Sequence, residues 1–142
     1  FNITSIGYKG YMSDITAAIC LAQLEKLDDF LDQRRHVQKS YNDELGKLIT
    51  IPEWSETAPY YPARVQEKDR DALMIFLASK NIHTTIHYKP LHLHPIFEQD
   101  RDYPVTDSEW KKFISLPCHA AMKDEDIDYV VHWVKEFFKL KR

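Results

Sequence analysis

The spacing of apolar positions predicts a long helix in the first third of the chain. Ser13 suits the N-cap position and Gly46 suits the position just past the C-terminus. Between them the apolar residues recur at three- and four-residue steps: Ile15, Ala18, Ile19, Ala22, Leu27, Leu31, Tyr41 and Leu45. A helix of about 30 residues is roughly 45 Å long, which is too long for one small core to cover. We therefore expect part of it, above all residues 32–36, to be exposed, kinked or packed against another domain.

Three shorter segments follow the pattern of strands. Residues 60–65 form the first, with its prolines near an edge of the sheet. In the second, residues 82–88 alternate between two faces until Pro90 stops the pairing. Residues 114–117 form a brief third extended piece.

Three further helices are predicted. Asp69 caps a helix that ends near Asn81, and residues 106–109 form a capping box that opens a short helix. The last helix starts with acidic residues 124–126 and ends with basic side chains. This order of elements predicts an α/β (α+β) sandwich in one domain, residues 1–142: a long helix, then a small antiparallel or mixed sheet that helices cover on one face. The other face is left for a partner.

Composition narrows the class of protein. The chain has 142 residues, of which 44% are hydrophobic and 29% charged, as in ordinary globular domains. Its net charge of −3 gives no basic footprint for nucleic acid, and no apolar run is long enough to span a membrane. The two cysteines, Cys20 and Cys118, lie far apart in sequence. We expect them to be buried, reduced thiols of a cytoplasmic protein.

Residues 82–97 carry the densest candidate chemistry, with four histidines, a tyrosine and a lysine around two prolines. A metal site would use His87, His92 and His94 with Asp100 or Asp102, but this spacing matches no well-defined signature. Alternatively, His92 and His94 only form hydrogen bonds to surface backbone. We favour recognition of an anionic or polyhydroxylated ligand, because histidine, tyrosine and lysine together offer donors for phosphate and hydroxyl oxygens. Lys89 adds a point charge to these donors and is a predicted ligand contact.

The rest of the chain supplies no complete catalytic device. Cys118 and His119 are adjacent, so on an extended chain their side chains point to opposite faces and do not form a nucleophile–base pair. The carboxylates at 124–126 are explained by the helix dipole. We therefore predict no catalytic residue and no metal ligand within this chain, and a reactive partner outside it.

Three motifs, in order, resemble one known family. They are G-Y-K-G-Y-M-S-D-I at 7–15 with A-A at 17–18 and L-A-Q-L at 21–24, then I-H-Y-K-P-L-H-L-H-P at 86–95, and S-L-P-C-H at 115–119 with D-E-D-I-D-Y at 124–129. Together they resemble the C-terminal portion of the DegT-type aminotransferases. These are fold type I pyridoxal-phosphate enzymes that transaminate keto sugars on nucleotide carriers.

The resemblance implies a small C-terminal domain that packs on a large coenzyme domain within a homodimer. The family's Schiff-base lysine belongs to a Ser-x-x-Lys segment upstream of the first motif, so it is expected outside this chain, and the chain alone is expected to be inactive. Lys9 matches a position that reaches the coenzyme phosphate of the neighbouring subunit. Tyr11 stands where the family usually has Asn or Arg. His87, Tyr88 and His92 fall on positions that line the sugar-nucleotide side.

The function that the resemblance implies is transfer of an amino group, from glutamate, to a nucleotide-linked keto sugar in amino-sugar or polysaccharide biosynthesis. A second hypothesis is a non-catalytic sugar-nucleotide-binding or dimerisation module from a truncated or split gene.

Overall fold

The computed structural model describes residues 8, 10–50, 60–95 and 102–141. Its regular elements, in chain order, are α1 (Asp14–Leu24), α2 (Leu27–Leu45), β1 (Tyr61–Arg64), α3 (Glu67–Ala78), α4 (Pro104–Glu109), β2 (Phe113–Leu116) and α5 (Asp124–Leu140). Short 3₁₀ turns occupy Leu91–Leu93 and Trp110–Lys112. None of the helices in these ranges combines the length and apolarity that crossing a membrane requires.

The predicted long helix is two helices. Ser13 caps α1 as expected, since its Oγ accepts a hydrogen bond from the Thr16 backbone N–H at 3.3 Å. The prediction of one continuous helix is wrong, because the Lys26 N–H bonds to the Gln23 carbonyl at 3.1 Å and interrupts the α-helical ladder. α2 then begins at Leu27 and ends at Leu45, beside the predicted Gly46. The expectation of exposure is confirmed at residues 32–36 of α2, of which only Arg34 is partly buried. α1, where it was not specifically expected, also has no buried residue.

A two-stranded antiparallel sheet forms the centre, with Tyr61 opposite Leu116 and Arg64 opposite Phe113. Isolated bridges extend it at both edges, at Thr50 beside Arg64 and at Thr85 beside Ser115. Of the strand predicted at 82–88, only the bridge at Thr85 is therefore formed. Its start is diverted, because the Ile82 N–H bonds to the Leu77 carbonyl at 3.0 Å.

The helices cover one face of the sheet, as predicted. This face carries the side chains of Tyr61, Ala63, Ile114 and Leu116, all buried. Against them pack fully buried residues of the three long helices: Val37, Tyr41 and Leu45 of α2, Leu73 and Leu77 of α3, and Val134 of α5. Such continuous burial of apolar surface is the main force that holds the elements together.

Two buried phenols and one thiol complete the core. The Tyr41 hydroxyl donates to the Pro117 carbonyl at 3.0 Å and the Tyr61 hydroxyl to Asn42 Oδ1 at 2.9 Å. Burial raises the pKa of both phenols, so they stay neutral donors. Cys118 is buried, and burial raises the pKa of its thiol. The expectation for Cys20 is wrong, because α1 leaves that thiol exposed.

Two helix starts differ from the prediction. α3 begins at Glu67, so Asp69 lies in its first turn, where its carboxylate pairs with Lys141 instead of capping the helix. α4 begins at Pro104, whose fixed φ suits the first helical position. The capping box predicted at 106–109 therefore does not form. The boundaries of α5 follow its acidic start and basic end, as predicted.

Candidate substrate-binding site

A cleft of about 380 Å³ opens between residues 86–91 and the helical stretch 104–112. One wall is the segment that carries the predicted ligand contacts, and the other is α4 with the 3₁₀ turn that follows it. The lining residues are Ile86, His87, Tyr88, Lys89, Pro90, Leu91, Thr106, Glu109, Trp110 and Phe113. Three of the four predicted substrate contacts thus share one cavity.

His87 is held by its surroundings. Its Nδ1 shares a hydrogen bond of 2.8 Å with Ser115 Oγ, and its ring stacks on Tyr60 with centroids 4.2 Å apart. Ser115 is itself a buried residue of β2. Within the described part of the chain, His87 Nε2 has no hydrogen-bond partner. The arrangement fixes the ring and leaves one nitrogen for a ligand.

Tyr88 and Lys89 are the exposed members of the same wall. Tyr88 is 71% exposed, and its ring meets His87 edge-on with centroids 4.8 Å apart. Lys89 is exposed and forms no ion pair with any described residue. A cation, a phenol and an imidazole therefore face the cavity from three consecutive positions, a set of groups suited to phosphate and hydroxyl oxygens.

His92 is placed differently from the other three. Its Nε2 lies 2.7 Å from Asp107 Oδ1 of α4, its ring packs on Tyr103 at 4.6 Å, and its side chain is only 15% exposed. It does not line the cleft. That His92 contacts substrate stays a prediction.

Of the two residues predicted to contact the coenzyme, only Tyr11 lies within the described part of the chain. Lys9 lies outside the described residues. Tyr11 precedes α1 with 81% of its surface exposed, and it does not line the cavity. Their roles stay predictions.

Glu109 attaches α4 to the sheet. Its carboxylate accepts hydrogen bonds from Arg64 Nε at 2.6 Å and Nη2 at 3.1 Å, and from Lys112 Nζ at 2.6 Å. These bonds, the Arg64 pair first, lower the pKa of Glu109 from 4.5 to about 2. The same carboxylate also holds the pKa of Arg64 above its usual value.

We expect this lowered pKa to give acid sensitivity. As the pH falls, Glu109 binds a proton in the unfolded chain before it does so in the folded state. The contribution of ionised Glu109 to the free energy of unfolding is therefore complete above pH 4.5 and is lost as the pH falls to about 2. In Glu109→Gln the urea midpoint should fall less over this range than in the wild type. Glu67→Gln, which removes a 3.8 Å surface pair with Lys111, should keep the wild-type slope. If the urea midpoint falls equally with pH in the wild type and in Glu109→Gln, the lowered pKa does not belong to Glu109.

Sequence reasoning missed the second wall of the cleft. Thr106, Glu109, Trp110 and Phe113 were assigned only to helix formation, although the cavity exists because they face residues 86–91. Ser115 was also missed as the partner of His87. Its position in the third motif, next to a strand, was the one available signal.

A metal centre is not assembled from the candidate histidines. Nδ1 of His87 is bonded to Ser115 and Nε2 of His92 to Asp107, and Asp100 lies outside the described residues. In the described ranges no three His, Cys, Asp or Glu side chains are close enough together to hold a metal ion.

A coenzyme with a reactive carbonyl could bind covalently to this chain only through a suitable lysine. Such an amine must be kept desolvated and next to the reactive carbon. In the parts of the chain that the structure describes, no lysine is buried. The described lysines therefore do not fit a covalent coenzyme site.

The described residues thus combine a helix-covered two-stranded sheet with an open cleft that apolar, aromatic and polar side chains line together. The chain matches the DegT/DnrJ/EryC1/StrS aminotransferase family over residues 1–135, and it belongs to that family. The resemblance seen in the three motifs is thereby confirmed.

Relatives and solved structures agree with this membership. The chain is 30% identical to the spore coat polysaccharide biosynthesis protein SpsC of Bacillus subtilis, over 98% of this chain and 40% of that protein. It is 29% identical to GDP-perosamine synthase of Escherichia coli O157:H7, over 96% of this chain and 39% of that protein. The aminotransferase TlmJ of Streptoalloteichus hindustanus superimposes with a TM-score of 0.88 at 26% identity, over 99% and 40%.

A further structure, the PLP form of the sugar aminotransferase Spr1654 of Streptococcus pneumoniae, superimposes with a TM-score of 0.84 at 28% identity, over 96% of this chain and 38% of that one. The chain thus spans about two fifths of the length of the relatives that it matches.

Proposed function

We propose that this chain is the substrate-facing C-terminal domain of a pyridoxal-phosphate-dependent aminotransferase. The complete enzyme transfers an amino group, from glutamate, to a keto sugar carried on a nucleotide. The observation that carries the proposal is the cleft in which His87, Tyr88 and Lys89 present donors beside an aromatic wall. Phosphate oxygens and sugar hydroxyls need such donors, and the flat rings suit a sugar or a base.

The exposed first helix supports a larger assembly. Ile15 is 76% exposed and Ile19 59% on one side of α1, and Leu24 is 63% exposed on the opposite side. A helix that is apolar all round is normally buried. We infer that α1 is covered by the remainder of the aminotransferase and by a second subunit, in a cytoplasmic homodimer. The twofold to threefold greater length of the relatives is consistent with such cover.

The coenzyme belongs to the complete enzyme in this proposal. Pyridoxal phosphate would supply the carbonyl that accepts and then donates the amino group. Tyr11, exposed just before α1, and Lys9 are the residues of this chain that we assign to its phosphate. The covalent anchor is assigned to a lysine outside the chain, because the described lysines are not desolvated.

We expect the purified chain, mixed with pyridoxal phosphate, to keep no visible absorbance band after desalting and to transaminate no keto sugar from glutamate. The reason is the lack of a desolvated amine among the described lysines. Absorption spectra before and after borohydride reduction, followed by peptide mapping, check this. A single reduced lysine adduct at one position would contradict it.

Titration calorimetry with UDP, GDP and dTDP tests the binding function. At least one should bind the chain, and inorganic phosphate should bind more weakly, because only the nucleotides can use the aromatic wall. No binding of any nucleotide, together with concentration-dependent dimerisation, would favour the alternative of a dimerisation module. Nucleotide binding in a full-length protein that lacks aminotransferase activity would favour the non-catalytic binding module.

A further inference from the structure

The wall of the cleft that carries Tyr88 and Lys89 is fixed at two points, five residues apart. At one end, His87 is bonded to Ser115 of β2. At the other, His92 is bonded to Asp107 of α4. Only four residues, 88–91, lie between these two contacts, and the last of them begins the 3₁₀ turn, so the segment has little freedom between its two fixed ends. Removal of either contact frees one end of the segment.

The opposite wall is fixed independently. Glu109 holds α4 to β1 through Arg64, at 2.6 and 3.1 Å. The contact between His92 and Asp107 therefore joins the wall that carries Tyr88 and Lys89 to a helix that is already attached to the sheet. Its 2.7 Å length, with side-chain exposures of 15% for His92 and 41% for Asp107, indicates a well-formed, partly buried bond.

We propose that His92 is a positioning residue, which sets the width of the cleft by binding Asp107 rather than by touching the ligand. Asp107 becomes part of the site through the same contact, and Tyr103 supports the imidazole ring at 4.6 Å. The proposal concerns the cleft whose function is proposed above and rests on it for the ligand. The effect on the wall itself is measurable without any ligand.

The first measurement is fluorine NMR of ligand-free chain labelled with 5-fluorotryptophan. Trp110 lines the cleft and Trp133 lies on α5, so they report on the site and on the fold separately. His92→Phe and Asp107→Ala should each shift or broaden the Trp110 signal, assigned through Trp110→Phe, and leave the Trp133 signal in place. His92→Gln and Asp107→Asn should keep the wild-type signal, because each retains a donor or an acceptor for the same bond.

The second measurement is the affinity for whichever of UDP, GDP and dTDP binds the wild type most tightly. His92→Phe and Asp107→Ala should each weaken binding about fivefold, and the double variant no further, as for two groups that act through one contact. His94→Phe is the matched control, since His94 directly follows the same turn and its side chain forms no hydrogen bond with a described residue. It should bind as the wild type does.

Two results would overturn the proposal. If His92→Phe loses affinity while Asp107→Ala does not, His92 contacts the ligand directly. If neither variant moves the Trp110 signal, the contact does not set the position of the wall.

If the wild type binds no nucleotide, the proposed function fails, and the Trp110 signal alone decides the positioning role. If His92→Phe does not fold, Asp107→Ala and His92→Gln decide it.

Discussion

Leu77→Ala is expected to lower the free energy of unfolding by about 3 kcal/mol, which is the largest stability effect predicted for this chain. Leu77 is 0% exposed and lies where α3 meets the sheet and α5. Truncation there removes apolar contacts and leaves a cavity that a core of paired strands and helices cannot close. Urea unfolding followed by circular dichroism measures the change.

Ile75→Ala is the matched control for this prediction. It removes an aliphatic side chain of similar size from the same helix, but Ile75 is 74% exposed. The expected change is within about 0.5 kcal/mol of the wild type. Equal losses in the two variants would mean that helix propensity, rather than the core, accounts for the effect of Leu77.

The largest expected effect on binding comes from His87. His87→Phe keeps a ring that can stack on Tyr60 but removes both ring nitrogens of a residue that lines the cleft, including Nε2, which bonds to no described residue. A hydrogen bond to a charged phosphate is worth enough that affinity for the nucleotide should fall about ten- to a hundredfold. Calorimetric titration of the variant against the wild type measures this loss.

Two further variants, Ser115→Ala and His83→Phe, show which feature of the segment causes the loss of nucleotide affinity. Ser115→Ala leaves the imidazole in place without its orienting partner, so a smaller loss of about threefold is expected. His83 is an exposed histidine of the same segment and does not line this cleft. His83→Phe should therefore bind like the wild type. A comparable loss in His83→Phe would show that the segment, and not the nitrogen of His87, determines affinity.

Much of the local structure was predictable because its signals lie within a few residues of one another. The Ser13 cap, the acidic start of α5 and the strand-like segment 60–65 each depend on local signals, and each is where the sequence places it. The break between α1 and α2 was not predictable. Its cause is one backbone hydrogen bond at Lys26, in a stretch whose side chains are all good helix formers.

Only one of the two walls of the candidate site was predictable from the sequence. The dense histidine segment indicated one wall, and His87, Tyr88 and Lys89 do line the cleft. The other wall could not be found from the sequence, because Thr106 and Trp110 are ordinary residues until β2 and α4 bring them opposite residues 86–91. The same limit applies to His92, since nothing in its neighbourhood along the chain indicates that Asp107 will accept its hydrogen bond.

The sequence by itself determined the family, the helix-covered sheet and the segment that carries the polar side chains, because these depend on short-range periodicity and on ordered motifs. Only the tertiary structure decided which of those side chains face a common cavity and which are occupied by other protein groups. The physical reason is that a hydrogen bond such as that between Ser115 and His87 joins residues 28 positions apart. Such a pairing is set by strand register and helix packing, and periodicity along the chain does not encode it.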